Sequence, residues 1–263
     1  MNSLAKYLEI MKITLKSKWI YVYDTLLAQF FLVIILFVYI NLWKMTYGQQ
    51  TIIDGFTLPQ MIWYLVIAET IILSMIPFHR VLEKEIREGE IAIRLNKPYS
   101  YLAFHYSAYL GETMLKAVVV FSVGALFTWT TVGTIPFQII NIPVLFLVFF
   151  LANLFNFIYA SIIGLISFWT EDITGMFFIL ERAKWLLGGF LLPLEVFPEP
   201  ARSIAESLPF KNFIYGPAKL FTQFDSHFAY HLIGQQLIYL ALFGALAFTL
   251  YSIGIKRLEV NGG

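Results

Sequence analysis

The sequence predicts an all-α, polytopic membrane protein with six spanning helices. Three observations carry that reading. Apolar residues make up 59% of the 263-residue chain and charged residues only 13%, where soluble domains run at about 45–50% and about 25%. The apolar residues gather into runs close to the roughly 20 residues a helix needs to cross a bilayer. The charges gather as well: nine of the eighteen residues of Arg80–Lys97 are ionisable, and the segment sits between two apolar runs.

At the N-terminus, Leu4, Leu8, Met11, Leu15 and Trp19 form a helical stripe with Lys6, Lys12, Lys16 and Lys18 around it. That pattern predicts a helix over residues 1–19 lying in the membrane interface, lysines toward lipid headgroups. No small-residue cleavage site stands beside a short apolar core, so a cleavable signal peptide is not expected. Spans are expected at 20–42, 58–79, 100–132, 141–168, 173–194 and 229–255. With the N-terminus inside, eleven Lys and Arg fall in cytoplasmic segments and four in external ones. The positive-inside rule then places both termini in the cytoplasm.

The island between the second and third spans carries Arg80, Lys84, Arg87, Arg94 and Lys97 against Glu83, Glu85, Glu88 and Glu90. Mixed signs make it more than a polybasic lipid anchor. Leu82 and Ile86 share one helical face, Gly89 interrupts as a helix C-cap would, and a second short helix over 90–96 must end before Pro98. Ile91 and Leu95 share a face of that helix, with Glu90 and Arg94 beside them. This predicts an amphipathic element, within a cytoplasmic loop over 80–98, built to dock on a partner.

In the third span Tyr99, Tyr101, His105, Tyr106 and Tyr109 suit the interface. In the fourth, Asn153, Asn156, Ala160, Gly164 and Ser167 form one small, polar face, a membrane helix-packing device. Glu171 and Asp172 precede the fifth span, where acidic groups suit a helix N-terminus. After it, Pro193, Pro198, Pro200, Pro209 and Pro217 break an apolar stretch, so residues 194–228 are expected to fold back into the outer leaflet against protein.

Six charges fall deep inside the expected spans, away from their ends: Glu69, Glu112, Lys116, Glu181, Arg182 and Lys184. Such residues are costly in a membrane and are functional candidates. Glu112 and Lys116 are four apart, acid first, and Glu181 and Lys184 share a face. Arg182 is left to reach Glu69 or Glu112 on another helix.

Several chemistries are absent. A net charge of +1 gives no case for nucleic-acid binding, and the lack of Cys excludes disulfides and thiolate sites. No G-x-x-x-x-G-K-[ST], HExxH or GxSxG occurs. His227 and His231 are four apart with Asp225 nearby, and read as interfacial histidines opening the last span.

The order of these features resembles the membrane subunits of type-2 ABC exporters. GEIAIRLNKP after the second span is similar to the loop of one bacterial permease branch, and GGFLLPLEVFP followed by ESLPF to its glycine–proline–leucine and phenylalanine–proline signature. The likeness covers essentially the whole chain. The load of Glu181, Arg182 and Lys184 departs from the pattern and leaves the substrate open. The resemblance implies one transmembrane permease domain over 1–263, the non-enzymatic half of an ATP-driven exporter in the cell membrane. It implies a second permease, identical or related, across a cavity, and separate ATPase subunits that carry the ATP and Mg. Glu90, Ile91, Arg94 and Leu95 would couple to them. The alternative is a secondary transporter using the intramembrane carboxylates as ion or proton sites; such folds usually carry internal repeats, and none is evident between residues 1–132 and 133–263.

Overall fold

The fold was taken from a computed structural model, which describes residues 3–133, 138–170 and 172–261; the side chains of residues 3–4 and 258–261 are not described. Glu171 lies outside the described residues. The helices run α1 (Ser3–Trp19), α2 (Val22–Tyr47), α3 (Leu58–Ser74), α4 (Phe78–Arg87), α5 (Glu90–Leu95), α6 (Tyr101–Val132), α7 (Ile142–Leu165), α8 (Thr174–Leu187), α9 (Glu199–Ser207), α10 (Tyr215–Thr222) and α11 (Ser226–Asn261). A two-stranded hairpin, β1 (Ile52–Ile53) with β2 (Phe56–Thr57), precedes α3. Its turn residues Asp54 and Gly55 both have positive φ, the geometry of an Asp-Gly hairpin turn.

The bundle is built around α3. Every residue from Met61 to Thr70 on this helix is buried, so it reads apolar all round, as a fully enclosed helix should. Helices α2, α6 and α10 lie against it. Helix α2 shows the opposite pattern. Gln29, Leu32, Leu36, Ile40, Trp43 and Tyr47 form a buried stripe, while Leu27, Phe30, Phe31 and Phe37 are exposed. Nothing among the described residues covers that outer face.

Among the described residues five helical stretches are long and apolar enough to cross a membrane: Val22–Tyr47, Leu58–Arg87, Tyr101–Val132, Ile139–Phe168 and Ser226–Arg257. The fifth expected span does not form a full-length helix among the described residues. Helix α8 has 14 residues, or about 21 Å at 1.5 Å per residue, against a hydrocarbon core of about 30 Å. It stops at Gly188 and Gly189 because the chain turns there: the Tyr64 hydroxyl donates to the Gly189 carbonyl, and Tyr215 N donates to Gly188 O at 3.0 Å. The Tyr39 hydroxyl then binds Leu191 O at 2.7 Å. The proline-broken stretch beyond returns to the bundle through α10, whose Tyr215–Phe221 side is largely buried.

Helix α1 lies along the first half of α6. Tyr7 accepts from Ser100 N at 3.0 Å and Lys6 donates to Pro98 O at 2.9 Å. A Cβ at Gly111 of α6 would sit 2.6 Å from Met11 O, so the two backbones approach at a distance only glycine allows. The expectation that the lysines all face headgroups is corrected accordingly: Lys6 and Lys18 are tied to protein partners.

Candidate functional site

The charged island forms a helical elbow standing on its own small core. Phe78, Leu82 and Ile86 of α4, Ile91 of α5, Tyr101 and Tyr109 of α6, and Phe157 and Leu165 of α7 pack together, separately from the main core. Gly89 joins the two short helices with φ 72, the left-handed residue that follows a helix end. A Cβ on Gly164 of α7 would meet Leu82 Cβ at 2.9 Å. The small face expected on α7 is thus where α4 seats, and Asn156 of that face binds the Tyr109 hydroxyl at 2.8 Å.

This core overturns one detail of the expected docking face. Ile91 is fully buried and Leu95 is half-buried against the same cluster. The apolar face of a six-residue helix was taken by the protein's own bundle, the nearest apolar surface on offer. What α5 turns outward is Glu90, Ala92 and Ile93, the last 67% exposed.

Glu85 holds the elbow to α6, a role the sequence reading missed. Its Oε2 accepts from the Tyr101 hydroxyl at 2.6 Å and lies 3.2 Å from His105 Nε2. Its Oε1 meets Arg94 Nε of α5 at 3.1 Å. The available signal was an acid in register with the apolar stripe of Leu82 and Ile86, on the buried side of α4. On the other side of α4, Arg80, Glu83, Lys84, Arg87, Glu88, Asp172 and Thr174 line a shallow groove of mixed charge. Asp172 accepts from Thr174 N at 2.7 Å, and hydrogen bonding from Thr174 holds its carboxyl below the ordinary range.

The intramembrane charges fall into three places rather than one linked set. Glu112 takes Lys116 and Lys18, each at 2.9 Å, which binds α1 to α6. Lys184 is buried and meets Glu181 Oε1 at 2.7 Å and Asn156 Oδ1 at 2.9 Å; Trp185 Nε1 donates to the same Glu181 oxygen at 3.0 Å. A polar chain therefore runs from α8 through Asn156 of α7 to Tyr109 of α6. Arg182 does not reach Glu69 or Glu112. It is exposed, with its guanidinium 4.3 Å from the Trp185 ring centroid and 5.1 Å from that of Phe178, and both expected acceptors sit elsewhere. Glu69 is 2% exposed, and its carboxyl has no hydrogen bond or ion pair among the described residues.

Beside α8 is a cavity of about 210 Å³ between the end of α3, α7 and α8. Ile72, Met75 and Ile76 form one wall, Asn156 and Tyr159 another, and Glu181, Arg182 and Lys184 bring the charge. His79 stacks on Phe177 at its edge, with centroids 3.5 Å apart.

His227 and His231 are both exposed at the start of α11. Asp225 is committed to that helix's first turn, accepting from Phe228 N at 3.0 Å and His227 N at 3.2 Å. Among the described residues no three His, Asp or Glu are grouped to hold a metal ion.

No curated protein matches the chain. The family described as ABC-2 family transporter protein matches residues 11–262, from α1 to the end of α11. With five long apolar helices, a charged elbow between the second and third, and that match along nearly its whole length, the chain belongs to the ABC-2 transporter family, as a multi-pass membrane component of an ABC transporter distinct from its ATPase.

Proposed function

We propose that the chain is the membrane-spanning half of an ATP-driven exporter, working as a pair with a second permease and carrying separate ATPase subunits under the α4–α5 elbow. ATP and Mg then bind to the partner, and this chain supplies the cargo path in the cell membrane. The observation that carries the reading is the elbow itself. It is a pair of short helices on a dedicated core, with Ile93 and Glu90 outward and Glu85 fastening it to α6. A partner pushing on such an elbow moves α6 and α7 as rigid levers instead of bending a loop.

In this reading α8 and the chain on to residue 194 complete a sixth crossing, with residues 194–228, α9 and α10 among them, as an external re-entrant cap and both termini cytoplasmic. The buried Tyr64 contact to Gly189 and the Tyr39 contact to Leu191 support it, because irregular backbone at membrane depth must be satisfied by protein. Purification from native membranes with identification of the bound subunits is the test. An ATPase that co-purifies with the native chain and is lost from Ile93→Asp supports the proposal; a chain that never carries an ATPase overturns it.

One observation favours a second reading. Glu69 is buried in the central helix with no partner among the described residues, as an ion or proton site of a secondary transporter would be. Transport driven by an ion gradient without ATP, and lost in Glu69→Gln, would establish that reading instead.

A further inference from the structure

We propose that the cavity beside α8 binds an amphiphile with an anionic head, a phosphate or carboxylate, held by Arg182, with its apolar tail along α3. As a statement about cargo this rests on the exporter reading; as a statement about a binding site it stands on the cavity alone.

Charge comes first. Of the three bases that fall inside the expected spans, Lys116 has Glu112 and Lys184 has Glu181. Arg182 has no carboxylate within ion-pair distance among the described residues. Its guanidinium is positioned by the faces of Trp185 and Phe178, which hold the plane but fill none of its hydrogen-bond donors. Glu181 does not cancel it, since one of its oxygens already serves Lys184 and Trp185. Arg182 and Lys184 against Glu181 leave one positive charge on the cavity wall. Arginine presents a planar fork suited to phosphate and carboxylate oxygens.

The route of entry selects the rest of the ligand. Phe178, Ile179 and Leu186 flank Arg182 on the outer face of α8, and all are well exposed. That surface is apolar, so a small hydrated anion meets a barrier there while an amphiphile arrives from the lipid side. Inside, Ile72, Met75, Ile76 and Ile163 offer a wall for an alkyl chain, and Asn156 and Tyr159 lie deeper with Lys184.

The test uses the purified full-length protein in a neutral maltoside detergent, with whatever subunits accompany it. Two probes share a tail and differ in head charge: dodecyl phosphate and dodecyltrimethylammonium. Binding is read by native mass spectrometry. Dodecyl phosphate is expected to bind, with affinity falling about tenfold in Arg182→Gln, the loss of one good charged contact, and less in Arg182→Lys, which keeps the charge without the planar fork. The cationic probe should bind more weakly and ignore both substitutions. Equal dodecyl phosphate affinity in native protein and Arg182→Gln, or tighter binding of the cation, overturns the proposal. Should Arg182→Gln misfold, Arg182→Lys and the probe pair on the native protein still decide it. Competition by phosphatidylglycerol assigns the site to a resident lipid, and its absence assigns it to single-chain cargo; the anionic head is common to both. Probe binding by a chain that carries no ATPase would keep the site and remove the exporter reading.

Discussion

The Glu85 carboxylate of α4 and the Tyr101 hydroxyl of α6 meet at 2.6 Å, and this contact joins the charged elbow to the membrane bundle. Arg94 and His105 converge on the same carboxylate from α5 and α6. One buried acid thus holds three helices.

Glu85→Gln should lower the stability of the detergent-solubilised protein by about 1–3 kcal/mol, the range for losing hydrogen bonds to a charged group. Tyr101→Phe should cost less, since one bond of three is lost, and the pair should be non-additive because they share a partner. Thermal unfolding of the two single variants and the double variant checks this. Additive effects would separate Glu85 from Tyr101.

Ile91 and Ile93 are two residues apart and should behave oppositely. Ile91→Asp places a carboxylate in a closed apolar core and should destabilise the elbow by several kcal/mol, or about 3 at least. Ile93→Asp changes a residue that is 67% exposed and should stay within about 0.5 kcal/mol, while partner binding drops. Hydrogen exchange across residues 78–95 reads the first effect and subunit co-purification the second.

Within the bundle, Glu181→Gln leaves Lys184 buried with Asn156 and the ring faces of Tyr159 and Phe213 for company. A stranded buried charge is worse than none, so Glu181→Gln should be less stable than Glu181→Gln with Lys184→Met. Unfolding midpoints of both variants in one detergent would show it. A double variant weaker than the single one would mean that Glu181 is not what compensates the buried Lys184.

Gly111→Ala should loosen α1 from α6, because the added Cβ would lie 2.6 Å from Met11 O, a backbone atom. The expected cost is about 1–3 kcal/mol, as for overpacking at a tight contact. Protease cleavage within residues 3–19 should become faster than in the native chain. Unchanged cleavage would place α1 on lipid instead of on protein.

The fold was legible wherever a residue's neighbours along one helix decide its place. Glu112 with Lys116 and Glu181 with Lys184 were readable as local pairs, and both form. Gly89 and Pro98 marked the limits of α5 for the same reason. Contacts set by which helices become neighbours were not legible. Lys18 reaches Glu112 only because α1 lies on α6, and Arg182 turns to Trp185 and Phe178 because neither Glu69 nor Glu112 is near it. The face of α5 was misassigned by a similar route. Its amphipathicity was real, but periodicity cannot say whether the apolar side meets a partner or the chain's own bundle, and Leu82, Ile86 and Tyr101 were closer. The break after α8 was visible in the prolines and glycines, whereas the tyrosines from α2 and α3 that hold it were not.

The central claim is that the outer face of the α4–α5 elbow seats an ATPase, and the chain's lack of cysteine allows a direct measurement. A photoreactive crosslinker is placed through Ile93→Cys in native membranes, with Ile52→Cys on the hairpin as its control. The account predicts that position 93 captures an ATPase subunit and that position 52, exposed on the opposite side of the bundle in the proposed topology, does not. Capture of the ATPase from position 52, or of no ATPase from position 93 in membranes where ATP drives transport, would contradict it.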